Sequence, residues 1–129
     1  MASYSATVLM NGDTNFLHSY KEGDRLGYDA RTILHVPAQD VDAALNRVYA
    51  IGNRHGRDAL GREWSSDIRS VSIGDVIWLV TVTDEGTVGT AYAVEPVGFR
   101  ALGGMPTSVE YGEVGLVRIG VARPAGVDA

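Results

Sequence analysis

The chain contains no cysteine among its 129 residues. Disulfide bridges, thiolate catalysis and cysteine-ligated zinc are therefore excluded. Long apolar runs are also missing, since none approaches the roughly 20 residues that a membrane-spanning helix needs. The first residues lack the basic region and the apolar stretch of a signal peptide. These absences predict a cytoplasmic protein without a membrane partner, and they leave the redox compartment open.

Lysine is nearly absent as well. Lys21 is the only one, and the other ten cationic side chains are arginines. Sixteen acidic residues outnumber these cations and give a formal net charge of −5. Because binding of nucleic acid through bulk electrostatics needs clustered Lys and Arg, this balance weakens that function class. The longest acidic run is Asp84-Glu85, which is too short for a mimic of DNA.

What the sequence does contain is the composition of one globular domain, 1–129, with 45% apolar and 21% charged residues. A chain of this length buries roughly two-thirds of its unfolded surface, so its core is large enough to be stable without disulfides. Segments rich in β-branched and aromatic residues predict about six or seven strands, at 3–10, 16–20, 28–36, 76–82, 88–96 and 114–122, with 97–102 closing the central unit. We expect 16–36 to form a hairpin, Pro37 to end its second strand and 103–113 to be a loop.

One amphipathic helix is predicted at 40–52. Apolar residues recur there at helical spacing, namely Val41, Ala44, Leu45, Val48 and Ile51. Asp40 and Asp42 lie near the start, where the helix dipole favours negative charge, and Gly52-Asn53 predicts the left-handed residue that ends the helix. The small side chains of 89–93 predict the sheet face on which this helix packs. The expected fold class is therefore α+β, a mainly antiparallel sheet with one helix on one face.

Patterns typical of catalytic and metal sites are missing. His18, His35 and His55 are spread over the chain without an H-E-x-x-H pattern, and there is no G-x-S-x-G or phosphate-binding loop. Asp40 and Asp42 are better explained as the start of a helix than as an acid pair. We therefore expect no catalytic residue, no metal, no cofactor and no enzymatic activity.

Residues 54–70 form a long segment without a clear period, which is typical of a functional or mobile loop. The predicted partner-binding residues are Arg54, Arg57, Arg62 and Trp64 in this loop, with Tyr20 and Tyr28 as exposed aromatic side chains. Trp64 has two interpretations: it anchors an interface, or it pins the loop to the sheet. Acidic residues in the same loop leave it at about +1, so contact with nucleic acid stays open but is the weaker interpretation.

The stretch Arg69–Val76 reads R-S-V-S-I-G-D-V, and Gly98-Phe99 closes the following hairpin. These segments resemble a family of small uncharacterised accessory proteins of actinobacterial phages, plasmids and integrative elements, which carry an R-S-[LV]-S-[VI]-G-D-V strand start. The resemblance covers 16–102 as a family-like core and leaves 103–129 as a C-terminal extension with a last strand. It implies a setting on a mobile genetic element and no particular activity.

Three function hypotheses follow. The first is a non-catalytic interaction or regulatory accessory protein that binds a protein partner, with homo-oligomers left open. The second is a small SH3-like or PUA-like module that binds nucleic acid, because a G-D-V-I strand start also recurs in such barrels. The third is an enzyme whose site is assembled from scattered polar residues. We interpret Gly74-Asp75 itself as the corner where a strand starts, with no catalytic role.

Overall fold

A computed structural model of the chain describes residues 2–13 and 18–112. Seven strands and one α-helix lie in these residues: β1 (Ala2–Asn11), β2 (Leu26–Tyr28), β3 (Ile33–Ala38), α1 (Val41–Gly52), β4 (Val76–Thr83), β5 (Gly86–Val94), β6 (Phe99–Gly103) and β7 (Val109–Tyr111). The predicted α+β class, a mostly antiparallel sheet with one helix, is confirmed. The strand predicted at 114–122 lies outside the described residues.

The sheet is built around β1. Its strand order is β6-β5-β4-β1-β2-β7, and β3 also pairs with β1. One side of β1 faces β4, while the other side faces β3 over residues 2–7 and β2 at Met10 and Asn11. These pairings are antiparallel, whereas β2 and β7 run parallel. Among the described strands, β1 is therefore the one with the most strand partners, namely β2, β3 and β4.

The predicted hairpin over 16–36 is wrong. Residues 18–20 lie in no strand, while 16 and 17 fall outside the described residues. Asp29 instead caps a 3₁₀ turn, Ala30–Thr32, by accepting a hydrogen bond from the Arg31 N–H at 2.8 Å. β3 begins after this turn and pairs with β1, with Leu34 opposite Ala6. The strand therefore finds its partner far away in sequence.

Pro37 does not end β3. It remains in the strand opposite Ser3, and β3 continues to Ala38. A proline has no N–H to give to a ladder, which is tolerated on a strand that pairs on one side only. β3 pairs with β1 alone among the strands of the described residues, so Pro37 is compatible with it.

The helix begins as predicted and buries most of its predicted apolar residues. Asp40 is its N-cap, and its carboxylate accepts a hydrogen bond from the Ala43 N–H at 2.8 Å. The buried residues are Ala44, Leu45, Val48, Ile51 and Gly52. The helix ends at Gly52 as predicted, but the left-handed residue that follows it is Arg54, with φ 67°, and not Gly52 or Asn53. The His55 N–H then donates to the Ala50 carbonyl at 2.8 Å.

The helix does not lie on the alanine-lined side of the sheet. Ala44, Leu45, Val48 and Ile51 pack in a core with side chains from β1, β3, β4 and β5, which we call the helix-side core. Ala91 and Ala93 face the other way, into a second cluster with Leu9, Tyr20, Leu26 and Val76, called here the opposite cluster. The expectation that small residues on β5 receive the helix is therefore wrong, and both sheet faces bury apolar side chains.

Part of the segment expected to be a loop, 103–113, is a strand. β7 pairs with β2, placing Val109 opposite Leu26, and the Leu26 N–H donates to the Ser108 carbonyl at 2.8 Å. The described beginning of the C-terminal extension is thus part of the sheet.

Candidate interaction site

The stretch at Gly74-Asp75 forms a turn that leads into β4. Gly74 adopts φ 99°, which favours glycine, and the Asp75 N–H donates to the Ser72 carbonyl at 3.1 Å. The fully buried Asp75 carboxylate accepts hydrogen bonds from the N–H groups of Ser72 and Asn11, both at 2.8 Å. The interpretation of this stretch as the corner of a strand is confirmed.

Arg69 completes this corner. Its two terminal nitrogens donate to the two carboxylate oxygens of Asp75 at 2.8 and 2.7 Å, and one of them also donates to the Asn11 carbonyl at 3.0 Å. The Arg69 carbonyl in turn accepts a hydrogen bond from the indole N–H of Trp64 at 2.9 Å. The R-S-V-S-I-G-D-V stretch therefore joins β1, β4 and the 54–70 loop as structure, and its charges are engaged with each other.

Trp64 pins the loop to the sheet. Its side chain is only 4% exposed and belongs to the helix-side core, together with Ile68 and Val71 from the same region. The alternative interpretation, in which this indole is presented to a partner, is wrong. Truncating Trp64 would open a cavity in the core, so its removal cannot report on binding alone.

The two tyrosines lie on the other side of the sheet. Tyr20 is 7% exposed in the opposite cluster, so the prediction that it is an exposed aromatic residue is wrong. Tyr28 is half-buried and meets Tyr111 edge to face, with ring centroids 5.4 Å apart. The structure therefore does not bring Tyr20 and Tyr28 together with Trp64.

The loop arginines make contacts within the chain. Arg54 donates to the Ser70 hydroxyl at 2.6 Å and to the Ile68 carbonyl at 2.7 Å. Arg57 pairs with Glu63 at 2.9 Å, and both side chains are about two-thirds exposed. These pairings reduce the number of cations available for an outside anion.

Arg62 belongs to a tight turn over residues 58–62, which we call the Asp58 turn. The buried carboxylate of Asp58 accepts hydrogen bonds from the N–H groups of Leu60 and Arg62, both at 2.9 Å, and from the His35 N–H at 3.1 Å. Arg62 also donates to the Ile33 carbonyl. The Asp58 turn is therefore fixed to the outer side of β3.

The protonation of Asp58 follows from these contacts. Burial by itself raises the pKa of this carboxyl, but the N–H donors of Arg62, His35 and Leu60, together with the charge of Arg62, outweigh burial and leave the pKa lowered. The carboxylate thus stays ionised and holds the turn at neutral pH.

Leu60 is the residue that sequence reasoning missed. It stands at the tip of the Asp58 turn with its side chain 66% exposed. Gly61 follows it with φ 82°, and the Gly61 N–H donates to the Asp58 carbonyl at 3.0 Å. An aspartate three residues before a glycine is turn chemistry that could have located this tip in the sequence.

The described residues offer few groupings of side chains that could bind a metal or a ligand. Within 2–13 and 18–112 there is no group of three or more His, Asp or Glu side chains placed to hold a metal ion. A cavity of about 360 Å³ lies between Tyr20, Glu22, Arg100 and the segment 104–107. Its arginine already donates to Glu95 at 2.9 Å and to the Tyr20 carbonyl at 3.1 Å.

Comparison of the chain with protein-family models, with curated proteins and with solved structures found no match. Over the described ranges, the helix is too short to cross a bilayer.

Proposed function

We propose that the chain is a non-catalytic interaction or regulatory protein that binds a protein partner through the Asp58 turn. The observation that carries this proposal is the pairing of an exposed apolar tip with a fixed backbone. Leu60 is 66% exposed, while the carboxylate below it is buried and accepts three backbone N–H bonds.

The fixed backbone favours binding because little conformational entropy remains to be lost. Ordering a flexible loop on association costs free energy, and a pre-ordered loop avoids that cost. The Ala59 N–H also donates to the His35 carbonyl at 2.8 Å, so β3 holds the turn at more than one point. The Asp58 turn can thus present Leu60 in one position.

The chemistry of the turn points to an apolar pocket on the partner. The flanking cation and anion, Arg57 and Glu63, are exposed and already paired, and such pairs contribute only about 0–1 kcal/mol. Interfaces commonly place an apolar anchor in a pocket and charged groups around it. Leu60 takes the anchor position in this arrangement, and the Arg57–Glu63 pair lies at its rim.

The accessory role on a phage or plasmid, and the cytoplasmic location, are the parts of this proposal that rest on the sequence alone. The alternative function of nucleic-acid binding is less well supported. Arg54, Arg57, Arg62 and Arg69 all donate to groups of the chain itself, so they offer fewer charges to phosphates. Salt-dependent retention on a single-stranded probe would favour that alternative.

The test uses Leu60→Asp with Val97→Asp as the matched control. Val97 is 91% exposed in the turn between β5 and β6, so both variants add one carboxylate and remove one exposed apolar side chain. Each variant is expected to change the free energy of unfolding by no more than about 0.5 kcal/mol. In affinity capture from extracts of the source organism, wild type and Val97→Asp should retain a protein that Leu60→Asp loses. Equal capture by all three proteins would refute the proposal.

A further inference from the structure

The opposite cluster covers only part of the sheet face that lies away from the helix, and the other described side chains on this face are half-buried or exposed. The opposite cluster covers the end that holds Leu9, Val76 and Ala93. Beyond it lie residues of alternate positions on four strands, which we call the open face: Ser3, Ser5, Thr7, Ile33, His35, Pro37, Trp78, Val80, Val82, Thr87 and Gly89.

The register of the strands joins these residues into rows. Thr7 lies between Ile33 on β3 and Trp78 on β4. In the next row Ser5 lies between His35 and Val80, and Val80 pairs on to Gly89 of β5. The open face is thus a continuous surface four strands wide, or about 15 Å.

No residue of the open face is Asp, Glu, Lys or Arg. In the whole chain 21% of residues carry a charge, and a solvated sheet face normally carries its share. The chain therefore places its net charge of −5 entirely elsewhere. A face without Asp, Glu, Lys or Arg is suited to contact with another such surface, since no carboxylate, ammonium or guanidinium group must be desolvated.

Large and small side chains alternate across the open face from strand to strand. The ring of Trp78 lies across Gly89, with Val80 beside it. Next to these side chains are the small residues Ser5 and Thr7 of β1. Sheets that pack face to face interdigitate large and small side chains in this manner.

We propose that the open face is the contact through which two copies of this chain form a weak symmetric dimer. A two-fold axis sets the bulky β4 row of one copy over the small β1 row of the other, which makes the face complementary to itself. Complementary charges, one means by which a protein selects a foreign partner, are absent from this face. Pairing through the edge of β3 is disfavoured, because the Asp58 turn already occupies backbone groups of Ile33 and His35.

The size of the face sets the strength of the dimer. A stable interface uses about 20–30 residues from each partner. The eleven residues of the open face are about half of that number, so the dimer dissociates readily. Added salt is expected to strengthen it, because salt screens the repulsion between two chains of net charge −5 and does not weaken an uncharged contact.

Sedimentation velocity on the full chain over a wide concentration range tests this proposal. The average mass should rise from that of one chain toward that of two, and more so at high salt. Ser5→Glu places a charge in the middle of the face and should weaken the dimer by roughly tenfold or more. The control is Val88→Glu, which adds the same charge to the helix side of β5 at a residue 60% exposed, and it should leave the dimer unchanged.

Thr87→Glu, on the exposed end of the open face, replaces Ser5→Glu if that variant does not fold. A chain that stays monomeric at every concentration overturns the proposal, as does a dimer that Ser5→Glu and Thr87→Glu leave intact or that Val88→Glu dissociates equally. Binding of a neutral oligosaccharide or of another protein on this face by a monomeric chain also overturns it. Ser5→Glu should still capture the protein that binds Leu60. The experiment therefore tests dimerisation through the open face independently of partner binding through the Asp58 turn.

Discussion

The indole ring of Trp78 lies directly over the backbone of Gly89 on the neighbouring strand. A Cβ atom added at position 89 would come within 2.3 Å of Cζ2 of that ring, far inside the contact distance of two carbon atoms. Glycine weakens a strand, but here its missing side chain lets a large aromatic ring lie against the sheet. The two residues therefore act as one packing unit.

Gly89→Ala is expected to destabilise the protein by about 1–3 kcal/mol, because the new methyl group must displace the ring. Alanine would otherwise stabilise a strand position by roughly 0.5–1 kcal/mol relative to glycine. Gly104→Ala is the control, since nothing lies within 4 Å of a Cβ added there and its φ is not positive. Urea unfolding followed by tryptophan fluorescence measures both, and equal stability of the two variants would contradict this packing.

Gly52→Ala should also destabilise, although alanine is the better helix former by about 1 kcal/mol. An added Cβ would lie 2.3 Å from a methyl carbon of Val71, which leaves no room between the helix and the segment before β4. Gly52→Ala should cost less unfolding free energy in a chain that also carries Val71→Ala than it does in the wild type. A double-mutant cycle measures this coupling. Additive losses would show that the clash is absent.

Asp75→Asn is expected to cost about 3–5 kcal/mol of unfolding free energy, since it leaves Arg69 without its buried counter-charge. Asp13→Asn is the exposed counterpart, because Asp13 also pairs with an arginine, Arg25, at 2.7 Å. That change should cost at most about 1 kcal/mol. Chemical denaturation measures the unfolding free energy of both variants. Comparable losses would argue against a special structural role for the Arg69–Asp75 pair.

Acid should destabilise the protein partly through Asp58. Its pKa in the folded state is lowered, so its contribution to stability is present above the unfolded value of about 3.9 and is lost as the pH falls through the folded value. Asp58→Asn should therefore reduce the loss of unfolding free energy between about pH 5 and pH 2. Some loss should remain, because arginine partners also lower the pKa of Asp13, Asp29 and Glu95. Identical pH dependence in variant and wild type would exclude the Asp58 contribution.

Local signals in the sequence predicted the elements whose structure is decided locally. The helix followed from its apolar period and from Asp40, and β4 followed from a run that is apolar on both faces. The pairing of β3 could not be read in this way. The alternation of apolar and polar residues in β3 does not specify the strand with which it pairs. The true partner, β1, is distant in sequence. Asp29, followed by Thr32 three residues later, is a local capping pattern that indicates an interruption within 16–36.

The candidate site was harder to predict, because exposure depends on tertiary packing. Trp64 lies among polar and charged residues in sequence, yet the Arg69 carbonyl accepts its N–H and the helix-side core receives its ring. Leu60 shows the reverse, since an apolar residue in the same loop stands at an exposed tip. Composition alone could not separate these two cases.

The central position of β1 has a consequence for how the chain folds during synthesis. Its neighbours β3 and β4 end at Ala38 and Thr83, so the strand leaves the ribosome long before both are complete. Apolar side chains that are buried in the folded protein, such as Val8 and Leu9, remain exposed to solvent during that interval. Contacts this distant in sequence slow the search for the native state. We therefore expect the nascent chain to depend on chaperones most strongly just before β4 emerges.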